Sequence, residues 1–161
     1  MRDDAGSPVV RLLERAAFPS TEASVPEARR WAAKLLDGHP RLDDALLLLS
    51  ETVTNAVLHT RSAAVGVVLL VEDGDGLQIE VVDEGAATSP CVCRHAAAGE
   101  LGELGELGEL AESGRGIRLL RTLADQWGFT EERPRCVVWF AFRALVEVSG
   151  PKCPSSRASR P

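Results

Sequence analysis

Glu51, Asn55 and His59 recur at i, i+4 and i+8. On a helix, that spacing stacks a carboxylate, a carboxamide and an imidazole on one face. A carboxylate can take a proton from a hydroxyl group, and a carboxamide oxygen can ligate a hard cation that keeps water and phosphate oxygens as its other ligands. One turn apart, the two suit chemistry on a metal-bound phosphate. An isolated E-x3-N pair is more often a solvated face of a core helix, so its weight depends on what else the chain carries.

Two further stretches suit the same chemistry. Asp83 follows an alternating segment, Leu77 to Val81, and precedes Gly85 by two residues. An acidic side chain at a strand end beside a glycine lets a ligand approach the backbone closely. Gly114-Arg115-Gly116 leads into the apolar series Ile117, Leu119, Leu120, Leu123 and Ala124. A glycine pair opening a helix exposes N–H groups that lack partners within it, at an end that favours an anion. Arg115 there is unfavourable by about 0.3–1 kcal/mol unless an anion joins it. Taken singly, D-x-G is a common turn and G-x-G a common way to start a helix.

The elements that must position these residues follow from periodicity. Leu46 to Thr60 reads as a helix of about four turns, with a core stripe of Leu46, Leu49, Val53, Ala56 and Val57. Leu48 and Leu58 border its polar face, which predicts protein or ligand against that face. Asp43 or Asp44 is the expected cap. Upstream, Ser24-Val25-Pro26-Glu27 has the form of a capping box and predicts a helix to about Leu36, ended by Asp37-Gly38-His39-Pro40. Val9 to Ala17 is compatible with a first strand or a short helix. Ala64 to Glu72 reads as a buried strand, Gly74-Asp75-Gly76 as a hairpin turn, and Leu77 to Val81 as a half-buried strand. Trp127-Gly128-Phe129 begins a strand, and Cys136 to Phe142 is a final one. Gly99 to Leu110 is four tandem Gly-Glu-Leu triplets. A period of three matches neither a helix nor a strand, and the segment is expected to be a mobile loop.

At 161 residues and 45% hydrophobic content, the chain suits one domain with its own core. No apolar run approaches the roughly 20 residues of a membrane span, and the start lacks the apolar core of a leader. A cytoplasmic protein without a membrane partner is therefore expected. The net charge of −6 argues against a nucleic-acid surface. Phosphates would have to be held by backbone N–H groups and a metal ion. The four cysteines, at 91, 93, 136 and 153, are expected to be reduced, and Cys91-x-Cys93-x-His95 lacks a fourth ligand at zinc-like spacing.

E-x3-N-x3-H on a helix, D-x-G at a strand end and G-x-G opening a later helix stand in an order that resembles the GHKL (Bergerat-fold) ATPases. Four segments narrow the resemblance to small bacterial anti-sigma-factor serine/threonine kinases: Phe18-Pro19 with Ser24 to Arg30; Leu49 to His59; Gly114-Arg115-Gly116-Ile117; and Val138-Trp139. The resemblance covers roughly residues 17 to 143. It implies an α+β, two-layer α/β sandwich with a mixed, mostly antiparallel sheet and helices on one face. The corresponding division is an N-terminal extension or first strand at 1–16, an ATP-binding domain at 17–144 with 86–113 as its lid, and a disordered tail at 145–161.

What the resemblance implies about function is specific. Asn55 would ligate Mg²⁺, and Glu51 would be the catalytic base. Asp83 would accept from the adenine amino group, with Gly85 giving the base room. Gly114, Arg115, Gly116 and Ile117 would close over the phosphates of ATP, and His59 would support the helix end without a catalytic role. The implied protein is an ATP- and Mg²⁺-dependent regulatory kinase that sequesters a sigma factor or similar client and phosphorylates an anti-anti-sigma-like antagonist, with homodimeric assembly. The alternative is an ATP-dependent binding switch of the same fold that transfers no phosphate. Two departures bear on nucleotide affinity: Ala86-Ala87 follows Gly85 where many relatives carry a further glycine, and Val137 stands where a hydroxyl residue often helps an adenine-bound water.

Overall fold

Alternating apolar residues build a five-stranded sheet, and their inward members set which face the helices cover. The computed structural model describes residues 9–60, 62–83, 113–132 and 135–144. The elements in order are β1 (Val10–Pro19), α1 (Ser24–Leu35), α2 (Leu42–His59), β2 (Ala64–Glu72), β3 (Gly76–Asp83), α3 (Ser113–Leu123), β4 (Gln126–Glu132) and β5 (Arg135–Phe142). Strand order is β1-β2-β3-β5-β4, and every pairing is antiparallel. Val65, Val67 and Leu69 of β2, Leu77, Ile79 and Val81 of β3, and Phe140 and Phe142 of β5 are buried on the helix side. Burying each such side chain stabilises the fold by roughly 1.5–3 kcal/mol. The fold is thus the expected α+β sandwich with helices on one face, its sheet antiparallel throughout.

α2 is the middle helix, packed against α1 on one side and α3 on the other while lying across β2 and β3. Its buried residues are Ala45, Leu48, Leu49, Thr52, Val53 and Ala56. The stripe is therefore rotated from the expected one. Leu48 is fully buried, Leu46 and Val57 are only partly so, and Leu58 is 61% exposed. The reason is that α2 has neighbours on three sides, so its core face is wider than a single stripe. The helix also starts earlier than expected, and neither Asp43 nor Asp44 caps it. Asp44 instead pairs with Arg41 at 3.2 Å.

The capping box does not form either. Ser24 is the first residue of α1, without a side-chain cap at Ala23. Its hydroxyl is buried and donates to the Pro19 carbonyl, tying the helix start to the end of β1. Of the two readings for Val9 to Ala17, the strand is what forms: β1 pairs along β2 from Val10↔Glu72 to Pro19↔Ala64. In the β2–β3 hairpin Gly74 and Asp75 both take positive φ, 77° and 62°. A type I′ turn needs that at both central positions. Cys136 is disulfide-bonded, so at least this thiol departs from the reduced state expected.

Among the described residues, the other face of the sheet carries no helix. There Val68, Gln78, Glu80, Val82, Arg135, Val137 and Trp139 line an open groove of ≈ 500 Å³. Trp139 lies across β4 because residue 128 is glycine: a Cβ there would stand 2.9 Å from the indole. Among the described residues no helix is long and apolar enough to cross a membrane. Apart from Ser113, the expected lid at 86–113 lies outside the described residues, as do Cys91, Cys93, His95 and the tail at 145–161.

Candidate functional site

Side-chain hydrogen bonds flank Glu51 on α2, and one set of them ties the helix to α1. The Ser50 hydroxyl donates to Leu46 O at 2.6 Å, and the Thr52 hydroxyl to Leu48 O at 2.8 Å. Arg29 of α1 reaches across to Ser50 Oγ at 2.7 Å and to Leu46 O at 3.3 Å. With Thr52 and Val53 pinned in the core, Glu51 and Asn55 are half-buried on the flank. His59 shares their spacing but is exposed in the last turn.

α3 covers that flank. A Cβ on Gly116 would stand 3.0 Å from Asn55 Nδ2 and 3.9 Å from both Cβ and Oε2 of Glu51. Gly116 is buried, and the absence of a side chain is what lets the backbone come so near. A glycine inside a helix costs about 1 kcal/mol relative to alanine, so a close approach is the physical use of one here. Gly114, Arg115 and Gly116 lie within the first turn of α3, which begins at Ser113. The N–H groups of residues 113 to 115, in its first turn, have no partner within the helix. The glycine pair is therefore part of the helix end and does not precede it. Ile117 lies in the same helix, and the side chains of Arg115 and Ile117 are outside the described set.

Asp83 closes β3, opposite Cys136 of β5. Alternation with Leu77, Ile79 and Val81 puts it on the helix-covered face. Topology puts it at the same end of the molecule as Asn55. α2 runs into β2, whose Gly66 pairs with Val82 beside Asp83. α3 runs antiparallel to α2, since Arg41 at the start of α2 holds the Leu123 carbonyl at the end of α3. The start of α3, the latter half of α2 and the end of β3 therefore share one end of the fold. Gly85 lies outside the described residues. Val137 does not belong here: it lines the groove on the uncovered face. The residues of β5 on the helix side near Asp83 are Cys136 and Val138. Only a strand's facing distinguishes 137 from its neighbours, and a single sequence reading can miss that by one residue.

The donor set fits a phosphate-bound Mg²⁺. Asn55 offers a neutral oxygen, and Mg²⁺ favours few protein ligands because it retains waters and phosphate oxygens. Among the described residues no group of three or more His, Cys, Asp or Glu gathers as a protein cage. The space that a Cβ on Gly116 would fill is the cradle beside that carboxamide. Unpaired N–H groups at a helix start beside a carboxylate and a carboxamide can bind an anion and orient a hydroxyl next to it.

Comparison with known proteins agrees with this arrangement. The crystal structure of the RsbU and RsbW domains of Rv1364c from Mycobacterium tuberculosis superposes with a TM-score of 0.56 at 15% identity. The match covers 82% of this chain and 32% of that one, so this chain spans about a third of that protein's length. At that identity the likeness establishes the fold. No curated protein sequence matches the chain. The family profile described as the histidine kinase-like ATPase domain matches residues 18–142, a span that takes in α1, α2, α3 and strands β2 to β5. The chain therefore belongs to the histidine kinase-like ATPase domain family.

Proposed function

We propose that the protein is an ATP-binding regulatory serine/threonine kinase of the anti-sigma-factor type. It would hold a sigma factor or similar client and phosphorylate an antagonist protein. The observation that carries this reading is the convergence of Glu51 and Asn55 on Gly116 at the start of α3. Asp83 would accept from the adenine amino group, the N–H groups of residues 113–115 would hold phosphate oxygens, and Asn55 would ligate Mg²⁺. When bound, the metal neutralises phosphate charge. Glu51 would orient the antagonist's hydroxyl and take its proton. The hydroxyl oxygen then bonds to the γ-phosphorus as the bond to the β–γ bridging oxygen breaks, and ADP leaves. Positioning and electrostatics contribute more than early deprotonation in such a loose transition state.

A second reading, a nucleotide-dependent switch without phosphotransfer, is favoured by Cys136 and Val138 beside Asp83, neither of which carries a hydroxyl to support an adenine-bound water. The same two variants separate the readings. Glu51→Gln should lower transfer to antagonist by roughly 10²–10⁴-fold with ATP affinity within a few-fold. Asp83→Asn should weaken ATP binding first, with transfer following occupancy. Labelled Mg·ATP, candidate antagonists and mass spectrometry for phosphoserine or phosphothreonine read transfer, and calorimetry reads affinity. ATP and client binding without transfer to any antagonist would favour the switch. Loss of ATP binding in a folded Glu51→Gln protein would remove the catalytic role.

Homodimeric assembly belongs to the same proposal, through the uncovered face of the sheet. Gly66 apart, residues 65 to 71 of β2 are all Val or Leu, as in strands buried on both sides. Glu80 and Arg135 place opposite charges in one groove. Two copies packed face to face can therefore set each charge against its opposite.

A further inference from the structure

α3 carries the turn that meets Glu51 and Asn55, yet much of what fixes α3 lies at its far end. Arg41, just before α2, donates from Nη2 to the Leu123 carbonyl at 2.7 Å. The same nitrogen pairs with Asp44 at 3.2 Å. Its Cζ stands 4.5 Å from the centroid of the Phe142 ring. The start of α2, the end of α3 and the end of β5 thus meet on one guanidinium. A planar fork can hold a carbonyl, a carboxylate and a ring face together, and an ammonium cannot. Arg41 Nε is buried with no hydrogen-bond partner among the described residues, a cost that an uncharged side chain would avoid.

The helix dipoles give the contact a direction. A cation at the start of α2 is unfavourable, and Asp43 and Asp44 offset it. At the end of α3 the same cation is favourable and satisfies one of the unpaired carbonyls. Beyond α3, Asp125 N–H donates to Ala141 O at 3.1 Å, and Asp125 Oδ2 accepts from Arg143 N–H at 2.8 Å. The C-terminal end of α3 is therefore tied to both α2 and β5. From Gly116 to Leu123 is about 10 Å along the helix. A tilt at the tied end moves Gly116 relative to Asn55, whose Nδ2 stands only 3.0 Å from the point a Cβ on Gly116 would occupy.

The geometry points to Arg41 as a positioning residue for the phosphate end of the nucleotide site, acting through α3 from roughly 20 Å away along α2. The inference rests on the ATP-binding reading of that site. Its signature is selective, because the adenine contact assigned to Asp83 belongs to β3 and not to α3. The test is calorimetry of the full chain with Mg·ATP and, separately, with adenosine. Arg41→Met should weaken ATP about ten-fold, within the usual range of coupling between sites, and adenosine by about two-fold at most. Arg41→Lys, which keeps the charge but loses the fork, should fall between and serves alone if Arg41→Met does not fold. Equal losses for both ligands, or none for ATP, would overturn the positioning role while the nucleotide reading stands. An unaltered protein that binds neither ligand would overturn the reading and this inference with it.

Discussion

A single methyl group at position 116 tests the residue-level account. In Gly116→Ala the new Cβ would stand 3.0 Å from Asn55 Nδ2, so the carboxamide has to move. The helix itself gains about 1 kcal/mol from replacing glycine by alanine, which offsets much of the steric cost. The melting temperature should therefore change little while ATP affinity falls about ten-fold, since small misplacements at a positioned site are expensive. Calorimetry beside a thermal melt measures both, and unaltered affinity would mean that the close approach of α3 is not part of the nucleotide site.

At the scale of elements, the junction opposite the site has its own titratable group. His39 Nδ1 accepts from Arg41 N–H at 3.1 Å. Burial lowers its pKa below the ordinary 6.5; Asp75 opposes this, while Arg11 and Arg41 add to it. Asp75 is itself paired with Arg11 at 3.6 Å. With the folded value below the unfolded one, the unfolded chain binds more protons in the interval between them, so stability rises with pH there. The contribution of neutral His39 is complete above about 6.5 and is lost as pH falls through the lower, folded value. Melting temperatures from pH 7.5 down to 5 should fall less steeply for His39→Gln, whose amide oxygen can still accept from Arg41 N–H. Superimposable profiles would show that His39 does not titrate differently in the two states.

For the whole molecule, the proposed assembly makes the uncovered sheet face the surface to test. Val68 sits in the central groove, away from Glu51, Asn55 and Asp83. If two copies meet there, Val68→Asp buries an unpaired carboxylate in the interface, and such charges are strongly disfavoured. Sedimentation should show a monomer for the variant and a dimer for the parent, with ATP binding per chain retained. A parent protein that is monomeric at high concentration would assign this face to something other than self-association.

The sequence by itself determined most of the elements and the residue spacing of the candidate site. The spacing of Glu51 and Asn55 places them on one flank of α2 by helical geometry alone. β2 was legible at its observed ends, and the Gly74-Asp75 turn and the strand ending in Asp83 were equally readable, because strand alternation and turn chemistry are local. Only the tertiary structure decided what depends on a neighbour far along the chain. Ser24 serves β1 and not its own helix cap, because Pro19 lies within reach. The buried side of α2 widened because α1, α3 and the sheet all press on it. Val137 faces away from the helices because its strand's register, set by pairing with β3, fixes which alternate residues turn inward. Arg41 shows no signal in its surroundings, since the carbonyl it holds is 82 residues away. Local propensity can shape each element, but it carries no information about a partner so distant, and that contact exists only once the sheet has brought α2 and α3 side by side.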